Sequence, residues 1–276
     1  GTSSTNRNGD IFVIYGKLYS FNGLSGEKNW ESDIFENRLR ESLHSIDDQF
    51  VFCGTEKGIY CFSQENGQLV WEKDLGDAVQ AQPILGKGNR LVVITRRYKV
   101  LSLNKITGET NWEKTVRGAM KTPAVTEDGQ VYVVRHDGVL VSLSARDGKK
   151  LWELKIDPSV EAVNGNVPSH ITLGDDGTIF VGGRSGKLYA FQGTSGPPKD
   201  APWPMFQQNR RNSGNAHDGK DGDLLPKSQT GFVQHLVTDQ IPGITNILAE
   251  DIDKDGDMDI ITTSNGGIGI LKHDGS

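Results

Sequence analysis

Five aspartates near the C-terminus carry the clearest chemistry in this chain: Asp251, Asp253, Asp255, Asp257 and Asp259, set two apart around Gly256. Alternate carboxylates on a tight loop converge on one point, and a glycine at the sixth position permits the sharp turn. Hard oxygen ligands in this number suit calcium. Asp251, Asp253 and Asp255 supply side chains from positions one, three and five. Asp257 offers its backbone carbonyl from position seven, and Asp259 stands at position nine. Crowded carboxylates repel one another unless a cation neutralises them. The expected role of the metal is therefore structural, pinning a turn that otherwise carries too much like charge. A solvated acidic turn is the alternative. Position twelve is Thr262, within the strand-like run Ile260-Ile261-Thr262-Thr263, where a helix–loop–helix calcium site needs a glutamate. Asp218, Asp221 and Asp223 are a weaker cation candidate, for which a plain polar loop is the preferred reading.

Elsewhere, catalytic groups are thin. Of the histidines His44, His136, His170, His217, His235 and His273, none forms a metal-spaced pair. There is no Gly-x-Ser-x-Gly elbow and no phosphate-cradling loop. His136-Asp137 reads as a surface hairpin turn. Paired carboxylates for glycoside chemistry need only spatial proximity, which keeps a carbohydrate-active enzyme open. Lys and Arg number 30 against 36 Asp and Glu, for a net charge of −6, so no electrostatic footprint for nucleic acid or an anionic membrane is expected. No apolar run approaches the ~20 residues that span a bilayer, and the polar start is not a signal peptide. Cys53 and Cys61 flank a hairpin turn at Thr55-Glu56-Lys57-Gly58. With a symmetric turn they face each other, either as a disulfide or as two small buried hydrophobes.

The elements that position these groups come from a repeat. Trp30, Trp71, Trp112 and Trp152 are 41, 41 and 40 residues apart, and each follows a glycine by four: Gly26, Gly67, Gly108 and Gly148. Runs such as Leu18-Tyr19-Ser20-Phe21, Val100-Leu101-Ser102-Leu103 and Leu140-Val141-Ser142-Leu143 precede those glycines at a fixed distance, and Leu188-Tyr189-Ala190-Phe191 begins a fifth copy. No stretch keeps a helical period. Four short strands in about 41 residues, repeated, predict an all-β propeller of four-stranded blades, six or seven in number. The first unit lacks a recognisable opening strand and the last lacks its closing strand. Gly196 to Trp203 is stretched, prolines crowd the region, and a polar run follows from Asn212 to Gly222.

Ser102-x-Asn104-x-x-Thr107-Gly108-x-x-x-Trp112, and nearly as well Ser20-x-Asn22-x-x-Ser25-Gly26-x-x-x-Trp30, resemble the tryptophan-docking motif of quinoprotein-like (PQQ-like) propellers. That resemblance covers about residues 9–200. It implies that the glycine makes the turn between the outer two strands and that the tryptophan packs between blades. The acidic loop resembles the calcium hairpins of FG-GAP (integrin-like) propeller repeats, over about residues 244–275. The expected organisation is quinoprotein-like blades over 1–200, a Pro/Gly/Asp-rich junction or rim loop over 201–230, and an FG-GAP-like blade over 231–276. That last blade closes the same propeller, or else a second propeller starts near Trp203.

Quinone-dependent dehydrogenases share the docking motif, but they also carry an adjacent-cysteine ring, a calcium and a catalytic aspartate around the cofactor. This chain has no Cys-Cys pair, so PQQ is not expected. Calcium-bearing propellers occur among polysaccharide lyases, which makes a lyase the runner-up. The reading taken is a monomeric, non-catalytic scaffold that binds a protein or glycan through loop faces. Its expected home is the periplasm, outer surface or medium of a bacterium, with no nucleic-acid partner. The calcium expectation is checked by melting the chelated protein with and without added calcium. Wild type is expected to gain about 2.7 kcal/mol at a hundred times the dissociation constant, and Asp253→Ala to lose that gain.

Overall fold

The computed structural model describes residues 3–6, 8–33, 39–156, 169–182, 187–201, 204–205, 234–238, 244–250, 259–264 and 267–271, with the backbone alone for 39–43 and from 234 onward. The runs counted in the sequence are strands, and every described element is β. Six antiparallel sheets follow one another along the chain. The first is β1 (Ser4–Thr5), β2 (Ile11–Tyr15), β3 (Lys17–Phe21) and β4 (Lys28–Glu31). The second is β5 (Leu39–Ile46), β6 (Phe50–Thr55), β7 (Gly58–Ser63) and β8 (Leu69–Asp74). The third is β9 (Ile84–Leu85), β10 (Arg90–Ile94), β11 (Lys99–Asn104) and β12 (Thr110–Thr115). The fourth is β13 (Ala124–Val125), β14 (Gln130–Val134), β15 (Val139–Ser144) and β16 (Lys150–Lys155). The fifth is β17 (Thr172–Leu173), β18 (Thr178–Gly182), β19 (Leu188–Gln192) and β20 (Gln234–Thr238). The sixth holds β21 (Ile244–Glu250), β22 (Asp259–Ser264) and β23 (Gly267–Leu271).

This is a β-propeller, and its six described sheets are consistent with the expected blade number. Two details differ from the sequence reading. Ser4–Thr5 supplies the opening strand that the polar N-terminus did not signal, pairing with Phe12 and Ile11. The fifth sheet takes its outer strand from Gln234–Thr238, far along the chain from β19.

Burial explains the composition of each strand. The second and third strands of a blade lie between neighbouring blades on both faces, so β10, β11, β14 and β15 are nearly continuous apolar runs. The outer strands are half solvated. In β8, β12 and β16 most side chains are exposed and the tryptophan turns inward. A bulge precedes each tryptophan. Ser20, Cys61, Ser102 and Ser142 pair with Trp30, Trp71, Trp112 and Trp152, and the next pair skips one residue of the outer strand. The extra residue is Asn29, Val70, Asn111 or Leu151. A bulge adds local twist and re-aims the adjacent side chain, here the indole. Asn29 and Asn111 answer it by donating to the Ser20 and Ser102 hydroxyls.

The repeat motif then reads as a joint. Asn104 Oδ1 accepts the Ile106 and Thr107 amides, and Gly108 N donates to Asn104 O at 2.8 Å. Gly108 takes φ +73, the left-handed conformation that glycine adopts without penalty. Its bare Cα leaves room for Trp71 of the preceding blade, whose ring would lie 2.8 Å from a Cβ there. Trp112 sits in the same way on Gly148, where a Cβ would be 2.6 Å away, and Trp30 sits on Gly67. Each indole N–H reaches the carbonyl of the next blade's turn: Gln64 O at 3.1 Å, Lys105 O at 3.0 Å and Ala145 O at 2.8 Å.

Cys53 and Cys61 form no disulfide; both are free and buried. The register pairs Cys53 with Tyr60 and Cys61 with Phe52, so the two sulfurs point to opposite faces of the sheet. The pairing is symmetric about Glu56-Lys57, and facing cysteines would need a loop one residue longer. Burial pushes both thiols well above their usual range.

Gly148→Ala is expected to cost about 3 kcal/mol, from left-handed strain plus collision with Trp112. Gly26→Ala shares the strain, but a Cβ there meets only open space, so its cost should be about 1 kcal/mol. Urea unfolding of the two variants measures the difference.

Candidate functional site

One end of the sheets carries a continuous loop face. Hairpins within blades and turns between blades alternate there, each tied to the next by a backbone hydrogen bond. Leu75 N donates to Lys57 O at 2.8 Å, Arg96 N to Ala78 O at 2.8 Å and Val116 N to Tyr98 O at 2.9 Å. His136 N then donates to Gly118 O at 2.8 Å and Ile156 N to Gly138 O at 2.8 Å. The loops therefore stand on the blades as one braced surface, the arrangement in which propellers present recognition residues.

Charge on this face is mixed. Arg96 reaches Glu56 at 3.4 Å, and Arg135 pairs with Asp137. Burial alone would raise the Asp77 pKa, but the Arg97 and Ala78 amides and the Thr95 hydroxyl outweigh it and hold the carboxyl below the usual range. Tyr98 is the one described residue other than glycine at positive φ, at +66. Its ring meets His136 edge-on, with centroids 6.4 Å apart.

The inner strands carry buried polar groups. His44 Nε2 lies 2.9 Å from Ser4 Oγ, and the His44 carbonyl accepts Gln82 Nε2 at 2.7 Å. Burial lowers the His44 pKa to about 4. His170 Nδ1 accepts the Thr122 amide at 3.2 Å. Burial, reinforced by the nearby Lys121 charge, lowers its pKa to about 3. Burial thus keeps both imidazoles neutral at physiological pH.

Between the fourth and fifth blades the joint changes. Trp152 Nε1 donates to Gln130 Oε1 of its own sheet at 3.1 Å, and Gln130 Nε2 reaches Thr194 Oγ1 at 2.6 Å. Asp128 accepts from Thr126 at 2.5 Å, from Thr194 at 2.6 Å and from Ser195 at 2.9 Å. Burial alone would raise the Asp128 pKa; these donors outweigh it and keep the group ionised. Glu127 N donates to Gly196 O, and Val125 N to Pro204 O. Gly196, the glycine of the fifth motif, packs on Asp175 and not on a tryptophan.

Of the residues singled out for calcium, Asp251, Asp253, Asp255 and Asp257 lie outside the described residues. Asp259 opens β22 and pairs with Glu250 at the end of β21, so residues 251–258 connect two antiparallel strands. Trp203, Asp218, Asp221 and Asp223 are also outside the described residues. No group of three His, Cys, Asp or Glu suited to a metal occurs among the described residues. Gly26 has no ring against it, whereas Gly67, Gly108 and Gly148 each do. The sequence reading missed Tyr98 and the Asp128 cluster. The signal for Tyr98 was available, because the matching turn of the fourth blade carries Gly138.

By sequence the chain matches the family described as outer membrane protein assembly factor BamB, over residues 15–87 and 55–201. No curated protein matches it. In three dimensions it resembles BamB from Moraxella catarrhalis at 14% identity and TM-score 0.59, over 100% of this chain and 94% of that one. It also resembles the computationally designed Ika8 protein at 12% identity and TM-score 0.61, over 96% and 67%. A third likeness is quinohemoprotein alcohol dehydrogenase from Comamonas testosteroni, at 12% identity and TM-score 0.54, over 72% and 42%. At such identities the likeness establishes the fold alone.

His44 generates a pH dependence of known sign. Its folded pKa is depressed from about 6.5 to about 4, so the unfolded chain binds the extra proton first. The contribution is complete above pH 6.5 and declines as pH falls towards 4. Between pH 7 and 4.5 wild type should lose about 2.5 kcal/mol more than His44→Gln, read from urea midpoints at the two pH values.

Proposed function

Since this chain belongs to the family described as outer membrane protein assembly factor BamB, we propose that it is a non-catalytic scaffold of the cell envelope that holds a partner protein on its loop face. The braced, mixed-charge surface around residues 56–57, 75–78, 96–98, 116–119 and 136–137 carries this reading. A glycan platform calls for exposed aromatic rings on one face. Here Tyr15 is the one aromatic among the described residues that is largely exposed, at 77%, and charged groups dominate the loops. The family's name supports an envelope setting, and no helix among the described residues is long and apolar enough to cross a membrane. Calcium at Asp251–Asp259 would serve as a structural brace on the last sheet, a role that rests on the carboxylate spacing.

A photo-crosslinking side chain at Lys57, on the loop face, tests the scaffold. A matched probe at Leu24, 97% exposed on the opposite rim, is the control. Irradiated cells should yield an envelope-protein adduct from Lys57 and none from Leu24. Equal adducts from both, or turnover of an alcohol or a polysaccharide by the purified chain, would overturn the reading.

A further inference from the structure

Tyr98 occupies a position built for glycine. In the third blade Thr95 N bonds Lys99 O, and Tyr98 N bonds Thr95 O at 3.0 Å. The fourth blade repeats the turn, with Arg135 N on Val139 O and Gly138 N on Arg135 O at 3.0 Å. Gly138 has φ +76, while Tyr98 holds nearly the same angle with a bulky side chain. Such a residue costs roughly 1–3 kcal/mol and persists where the surroundings enforce it, often at binding sites. Tyr98 is half-buried, and the contact of its ring with His136 helps to hold that angle.

The surroundings hold the ring in place. His136 meets it edge-on, and His136 itself rests on Gly118, where φ is +88 and a Cβ would fall 2.9 Å from the imidazole. Two unusual backbone positions thus fix a pair of rings between two blades. Of the cations on this part of the face, Arg117 is the least committed. Arg96 and Arg135 have Glu56 and Asp137. Asp77 accepts the Ala78 and Arg97 amides and also faces the Arg97 charge. The exposed Arg117 has no ion-pair partner among the described residues, and its chain neighbours Val116 and Gly118 bond Tyr98 and His136.

We propose that Tyr98, His136, Arg97 and Arg117 form the docking point for an acidic, carboxylate-bearing segment of the partner protein, an inference that rests on the scaffold reading above. Guanidinium groups grip carboxylates in bidentate fashion, and aromatic rings beside them give the segment's backbone and methylenes a surface.

The test measures binding of fluorescein-labelled hexaglutamate to the full chain by anisotropy, with melting curves for each variant. Tyr98→Gly should melt no lower than wild type, because it copies Gly138, yet bind about tenfold more weakly. Arg97→Ala/Arg117→Ala should lose about a hundredfold, one decade per arginine, and Tyr98→Phe should match wild type. No binding by wild type, or equal binding by Tyr98→Gly and the double-arginine variant, overturns the proposal. So does a lower melting point for Tyr98→Gly, which would give the ring a structural purpose. Oligothymidylate binding as tightly, with the same variant sensitivity, replaces the acidic peptide by a phosphate polyanion. If hexaglutamate fails while the Lys57 probe still captures its partner, the acidic chemistry falls and the scaffold stands; if both fail, both readings fall.

Discussion

The seat of an indole on a bare glycine turn joins one blade to the next, and the rest of the structure follows from it. A four-stranded sheet cannot bury both of its faces alone. Stacking blades does bury them, but only if successive blades keep a fixed offset. The outer strand is the lever arm that could slip. Trp30, Trp71 and Trp112 fix it with a flat ring on Gly67, Gly108 and Gly148, and with one hydrogen bond to a carbonyl that the same turn exposes. The bulge before each tryptophan aims the ring across the joint. The seat accepts only glycine, because both the left-handed φ and the ring contact exclude a side chain.

Where the seat is missing, polar chemistry takes over. Gly196 turns away to Asp175, and the fourth and fifth blades are held by the carboxylate of Asp128, the amide of Gln130 and the hydroxyls of Thr194 and Ser195. An ionised carboxylate accepting several hydrogen bonds is a stable substitute in a partly buried position. Other joints add polar staples to the indole seat. Lys105 reaches Asp47 at 2.5 Å, and Asn6 reaches Gln64 at 2.9 Å. Stability is thus spread over many local joints, as in other repeat folds.

This rigidity suits the loop face to the role proposed for it. A hairpin held by hydrogen bonds to the turns beside it can keep Tyr98 in a conformation that an isolated hairpin would abandon. Arg117, placed between Tyr98 and His136 by the same ladder, inherits its position from two blades at once. Recognition on such a face requires little ordering on binding, in keeping with a scaffold.

The sequence alone determined the repeat and the blade, but not the strands Ser4–Thr5 and Gln234–Thr238 that complete the first and fifth sheets. The interval between tryptophans measures the blade, the glycine four residues earlier marks the turn, and the apolar runs of β10 and β14 mark strands covered on both faces. These are local and periodic signals, so they survive without coordinates. Parity and partnership needed the tertiary structure. Whether Cys53 faces Cys61 depends on a single residue of register in a turn, and the observed pairing sends the two thiols to opposite faces. Whether a motif glycine carries a ring depends on the preceding blade, which is why Gly26 stands open and Gly148 does not. The strain at Tyr98 is a backbone angle, and the sequence shows only that a glycine is missing from a turn. Its meaning emerges when the fold sets that turn beside Gly118 and His136, residues that chain order keeps apart and blade packing brings together.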